Sequence, residues 1–239
     1  MHILTIIGAR PQMVKAAMVS RAIANAATQG MDIQEDILHT GQHFDHNMSQ
    51  IFFEEMGIPR PRWNLGVQEK HHGAMTGRML AGIEEIILES NPDLIMVYGD
   101  TNTTLAGALA AAKLHNPIAH VEAGVRSYNR KMPEEINRVL TDNLSTLLLC
   151  PTDTAYKNLE QENIQKNLTP RGQVPELQVV GDVMYDATLY FKSKSKGRAA
   201  KELENICTLP SNYAVCTLHR AENTDHPQIL SQICHCLDE

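Results

Sequence analysis

Residues 95–142 read IMVYGDTNTTLAGALAAAKLHNPIAHVEAGVRSYNRKMPEEINRVLTD, and this stretch decides the fold. The apolar run Leu94–Tyr98 stops at Gly99-Asp100-Thr101, and helix formers follow from Leu105 to Leu114. A second apolar run, Pro117–Val121, stops at Glu122-Ala123-Gly124. The spacing predicts strand, turn, helix, strand, a long polar loop, and a further helix opened by Pro133. Proline suits a first helical turn, and the acids Glu134 and Glu135 that follow it complement the helix dipole. Asp100 and Glu122 therefore each stand where a strand ends, which in an open parallel α/β sheet is the edge that binds ligands.

Each acid also has a plainer explanation. Asp100 or Thr101 can cap the helix that follows them. Glu134 and Glu135 can be surface acids favoured by the dipole. Glu122 is harder to explain by stability, because a carboxylate directly after a buried strand is costly to keep there. Three carboxylates at one crevice point to proton transfer, since burial and mutual repulsion shift such groups into a working range.

The same pattern extends in both directions. His2–Ile7 is an apolar run ending at Gly8-Ala9-Arg10-Pro11, with a helical pattern over 12–27. Arg10 and Lys15 near a helix N-terminus make an anion site, or else a structural ion pair. The turn carries neither a GxxxxGK[ST] nor a GxGxxG pattern. Ile33–His39 reads as a second strand, ending near Gln42, His43 and His46, and Met48–Met56 has a helical pattern. Arg60–Gly66 reads as a proline-containing connection, and Glu69–Ser90 as a long helix. Thr146–Cys150 and Leu177–Val180 are further strands, with a helix over 154–161 between them. Six strands alternating with helices predict an α/β fold with a doubly wound parallel sheet over roughly residues 1–190. Arg126, Arg130 and Lys131 form either a basic loop in solvent or ligand contacts.

After a polar linker, 191–210, the run Tyr213–Leu218 and the helical segment Pro227–Leu237 read as the opening of a second α/β domain, 211–239. One strand and one helix cannot bury a core by themselves. Apolar residues make up 43% of the chain and the net charge is −7, which argues against binding nucleic acid through a basic surface. No apolar run approaches the ~20 residues that span a bilayer, and no leader pattern opens the chain. The five cysteines (150, 207, 216, 234 and 236) fit reduced thiols in a cytoplasmic protein. Neither Cys234-His235-Cys236 nor the scattered histidines have metal-site spacing, so no metal is expected.

Six motifs occur in order: GARPQMVKAA (8–17), YGDTNTTLAGALAA (98–111), HVEAGVRS (120–127), MPEEINR (132–138), VVGDVMYDA (179–187) and TLHRAENTD (217–225). Together they resemble the non-hydrolysing UDP-N-acetylglucosamine 2-epimerases. Gln12 and the NRKMPEEINR form of the fourth motif make the branch acting on a UDP-2,3-diacetamido sugar acid the most similar. The resemblance implies a GT-B-type pair of Rossmann-like domains, of which only the start of the second is present. It implies loss of the C2 proton with departure of UDP, then re-addition with the proton returned to the opposite face, without cofactor.

The family's catalytic groups match Asp100, Glu122, Glu134 and His219, and its substrate cations match Arg10 and Lys15. Further substrate contacts are expected from Gln42, His43, Thr101, Arg126, Arg220, Glu222 and Asn223. A homodimer through the first domain is also implied. Three departures stand out. GQHFDHNM (41–48) differs from the family's QHREM, which speaks against regulation by a second substrate molecule. Asp182 replaces a common Asn. The second domain is short, so weak UDP binding is expected. An inactive remnant that binds a partner, a GT-B glycosyltransferase and a hydrolysing 2-epimerase are the alternatives.

Overall fold

The computed structural model describes residues 1–41, 53, 56–195, 214–218 and 221–238. The chain forms two compact units, Met1–Phe191 and Lys192–Glu239. In the first, seven strands form one parallel sheet: β1 (His2–Ile7), β2 (Gln34–His39), β3 (Trp63–Asn64), β4 (Leu94–Tyr98), β5 (Ile118–Val121), β6 (Leu147–Cys150) and β7 (Glu176–Val179). Their spatial order is β3-β2-β1-β4-β5-β6-β7. The connecting helices are α1 (Arg10–Thr28), α2 (His72–Ser90), α3 (Asn102–Lys113), α4 (Pro133–Leu144), α5 (Asp153–Gln161) and α6 (Val183–Ser195). The six expected strands and the doubly wound α/β architecture are present. The seventh strand corrects the reading of 60–66 as a plain connection: Trp63 and Asn64 pair with Leu38 and His39 of β2.

Burial on both faces explains why the strands read as unbroken apolar runs. Alternate residues of β1 serve opposite layers, as the two-residue strand period requires. Leu4 and Ile6 pack with Val97, Ile118 and the α2 residues Met79, Ile83 and Ile87. Ile3 and Ile7 pack with Met96, Tyr98, Val121 and the α1 residues Met13, Ala16 and Ala17. Helix α3 buries five alanines, and its Gly107 lies so close to the sheet that a β-carbon would meet Val97 at 3.0 Å. Small residues here let the helix settle on the strands. The order of the sheet reverses between β1 and β4, so the loops after those strands part and leave a crevice.

In the second unit, Ala221–Thr224 and Pro227–Asp238 are helical. The strand expected over 213–218 is not formed in its described part, 214–218, where four of the five residues are exposed. No strand among the described residues pairs with it, and an unpaired strand leaves its backbone groups to solvent. The Met48–Met56 helix falls outside the described residues apart from Phe53 and Met56. No helix among the described residues is long and apolar enough to cross a membrane.

Candidate active site

The crevice is built from three strand ends. After β1, the backbone N–H groups of Gly8 and Ala9 both donate to the Gln12 side-chain carbonyl at 2.9 Å. These amides are thereby occupied, so the anion-binding capacity of this turn rests on the exposed Arg10, on Lys15 and on the helix dipole. The Gln12 amide nitrogen donates to the Tyr98 carbonyl at 2.9 Å and to Thr104 Oγ1 at 3.0 Å. One buried side chain thus ties the β1 turn to the β4 turn.

At the end of β4, three successive carbonyls are each held by a side chain. Tyr98 O accepts from Gln12 and from Thr104 Oγ1 at 2.7 Å. Gly99 O lies 2.7 Å from His120 Nε2, and Asp100 O accepts from Asn137 Nδ2 at 2.8 Å. Thr101, not Asp100, caps α3: its hydroxyl accepts from Thr104 N, while its own N–H donates to Thr104 Oγ1 at 3.1 Å. The capping reading of Asp100 is therefore set aside. Its carboxylate, about one-third exposed, accepts instead from Arg138 at 2.6 Å.

Glu122 follows β5 with φ of 75°, a left-handed conformation that costs a non-glycine residue about 1–2 kcal/mol. Its carboxylate pairs with the buried Lys15 ammonium. Gly99, at φ 63°, leaves space for this pair, since a β-carbon there would stand 3.1 Å from Lys15 Nζ and 3.4 Å from Glu122 Oε2. Burial pulls the Lys15 pKa below the ordinary lysine value, against the negative charges of Asp100 and Asp182. Lys15, Asp100, Glu122, Asp182 and Arg138 thus share one electrostatic site. A cleft of about 210 Å³ beside it is lined by Glu122, Asp182, Asp186, Met96 and Leu149. Asp182 itself accepts from Met184 N at 2.8 Å at the start of α6, a capping task that Asn performs equally well.

The two neighbouring glutamates of α4 separate cleanly. Glu134 is exposed, whereas Glu135 is 2% exposed and accepts from Ser127 N and Oγ at 2.9 Å, Tyr128 N at 3.0 Å and Arg138 at 2.8 Å. Arg126 was expected on the ligand. Its side chain is 1% exposed and donates to Asp142 at 2.7 Å and to both oxygens of Glu162 at 2.7 Å. Thr101 is likewise engaged as a cap.

Gln42, His43, His219 and Arg220 lie outside the described residues, as does the side chain of Glu222. Asn223 belongs to the second unit, in the turn Ala221–Thr224. Sequence reasoning missed Arg138, Asn137 and His120. A polar residue inside the buried run Ile118–Val121 was the available signal for His120. Among the described residues, no three metal-ligating side chains converge.

A doubly wound parallel sheet, with acids and cations meeting at its switch point, defines a Rossmann-like protein with a charged crevice at the carboxyl ends of its strands. The family described as UDP-N-acetylglucosamine 2-epimerase matches residues 25–239, and the chain belongs to that family. It is 50% identical, over its whole length, to the UDP-2,3-diacetamido-2,3-dideoxy-D-glucuronate 2-epimerase of Pseudomonas aeruginosa. It is 48% identical, again over its whole length, to a UDP-N-acetylglucosamine 2-epimerase homolog of Methanococcus maripaludis. In both comparisons the chain spans 63% of the relative's length. A crystal structure of Methanocaldococcus jannaschii UDP-GlcNAc 2-epimerase, in complex with UDP-GlcNAc and UDP, matches with TM-score 0.85 at 43% identity, over 98% of this chain and 61% of that one.

Proposed function

We propose that this chain provides the sugar-facing half of a 2-epimerase acting on a UDP-2-acetamido sugar, with a UDP-2,3-diacetamido-glucuronate as the favoured substrate. One observation carries the reading. Asp100 and Glu122, at the ends of adjacent strands, are each paired with a cation, Arg138 and Lys15 respectively. Inversion at C2 needs two proton carriers, one for each face of the sugar, and paired carboxylates at one crevice provide them.

In the first step a carboxylate takes the C2 proton. The C–H electrons form the C1–C2 double bond, and the C1–oxygen bond breaks with its pair leaving on UDP. Lys15 and Arg10 favour that departure, since positive charge placed where negative charge develops lowers the barrier. UDP then adds back at C1 through its oxygen pair, while the C1–C2 π electrons take a proton at the other face of C2 from a second acid that enters the step as the protonated carboxylic acid and leaves it as the carboxylate. Glu134, exposed at the start of α4, is a third acid available to this chemistry. The choice of substrate rests on the 50% identity to the P. aeruginosa enzyme. A cytoplasmic homodimer belongs to the same reading, and sedimentation equilibrium tests the dimer.

The decisive experiment is solvent deuterium incorporation at C2, followed by NMR, with UDP-N-acetylglucosamine and UDP-2,3-diacetamido-glucuronate in parallel. Exchange into the uronate that disappears in Asp100→Asn supports the proposal. Folded protein that exchanges neither sugar overturns it for this chain.

A further inference from the structure

His120 is fully buried in β5, with Nδ1 2.6 Å from Asp142 Oδ1 and Nε2 2.7 Å from Gly99 O. A carbonyl oxygen only accepts, so Nε2 carries a proton. Asp142 Oδ2 accepts from Arg126 at 2.7 Å and from Gly124 N at 3.2 Å, which leaves Oδ1 for His120 Nδ1. With Asp142 ionised, Nδ1 donates as well. Arg126 continues the chain outward to Glu162, whose side chain is one-third exposed. A continuous line of polar contacts thus runs from the surface to the backbone of the β4 turn: Glu162, Arg126, Asp142, His120, then Gly99 O.

Gly99 is the pivot of the site. It precedes Asp100, and its missing side chain is what lets Lys15 and Glu122 meet above it. A turn of the Gly99 peptide would carry Asp100 with it and push backbone against that pair. The flanking carbonyls are held by neutral amides and a hydroxyl, from Gln12, Thr104 and Asn137. Only the Gly99 carbonyl, of the three, is held by a side chain that is itself in a charged chain. We propose that His120 is a positioning residue: donating through both ring nitrogens, it locks Gly99 so that Asp100 and the Lys15–Glu122 pair keep a fixed spacing. The proposal rests on the epimerase reading for its catalytic consequence, but its structural content stands apart from it.

The test joins two measurements on the whole chain. Nitrogen NMR of the imidazole at neutral pH should show both ring nitrogens of His120 protonated. His120→Gln and His120→Phe should shift the backbone amides of Gly99, Asp100 and Thr101. Where exchange at C2 is measurable, kcat should fall about 10²-fold, the size expected for an ångström-scale misplacement, with KM changed less than threefold. His120→Gln should lose less than His120→Phe, because an amide can still donate to Gly99 O. A ring with only one protonated nitrogen would overturn the proposal. So would folded variants with unmoved Gly99–Thr101 amides, or a kcat loss explained wholly by less folded protein. Absence of exchange in the unaltered chain would count against the epimerase reading alone, leaving the ring nitrogens and amides to decide the role of His120.

Discussion

Arg138 donates to the Asp100 carboxylate at 2.6 Å and, through its other terminal nitrogen, to Glu135 at 2.8 Å. One guanidinium therefore joins the acid at the end of β4 to the acid that clasps the loop before α4. Asp100 is partly open to solvent, so its pair is screened, whereas Glu135 is not. We expect Arg138→Gln to cost about 1–3 kcal/mol, below the range for a fully buried pair. The urea midpoint measures this. C2 exchange should fall more than stability alone explains, because Asp100 loses its partner.

Glu135→Gln should remove an acid-sensitive element. Burial pushes the Glu135 pKa up, but the donors from Ser127, Arg138 and Tyr128 outweigh it and hold the carboxyl below its ordinary value of 4.5. A lowered folded pKa contributes stability above the unfolded value, and that contribution is lost as pH falls through the folded one. The parent chain should lose urea resistance below about pH 4.5 more steeply than the variant. At neutral pH the variant should be weaker by about 1–3 kcal/mol, with an amide N–H facing donors. Parallel slopes of the two midpoints against pH would contradict this assignment.

Glu35→Gln should behave in the opposite sense. Glu35 lies on β2, where burial raises its pKa above 4.5 against the Thr5 hydroxyl that donates to it at 2.5 Å. A raised folded pKa contributes stability that is fully present below the unfolded value and lost as pH rises through the folded one. The neutral variant keeps an acceptor for Thr5 without an ionised group to bury. It should be more stable than the parent at neutral pH, by about 1 kcal/mol, and the gain should vanish below about pH 4. Thermal melts across that range measure it.

Gly99→Ala is a direct probe of the pair above the β4 turn. The substitution places a methyl group 3.1 Å from Lys15 Nζ at a φ of 63°. The left-handed backbone alone costs about 1–2 kcal/mol. Lys15 must also move, so we expect loss of C2 exchange well beyond the loss of stability. An alanine variant with unchanged exchange would show that Gly99 need not leave this space.

The local order of the chain was legible. Apolar runs, glycine turns and helical periodicity marked six strands and placed Asp100 and Glu122 at strand ends, because those signals depend on residues close in sequence. The strand at Trp63–Asn64 was not legible, since two residues beside prolines become a strand only by pairing with β2. Thr101 rather than Asp100 caps α3 because of where Thr104 presents its amide and hydroxyl, which composition does not distinguish.

Partnership over distance was beyond local reading as well. Glu134 and Glu135 are identical in type and adjacent, yet a rotation of about 100° per residue turns one to solvent and the other inward. Arg126 had the charge of a ligand contact, but folding brings Asp142 and Glu162 to it from 16 and 36 residues away. The order of elements and the kinds of chemical group at the crevice follow from the sequence by itself, through periodicity and turn chemistry. Which cation meets which acid was decided only by the tertiary structure, because a buried charge must find its counter-charge among whatever strands and helices the sheet brings beside it.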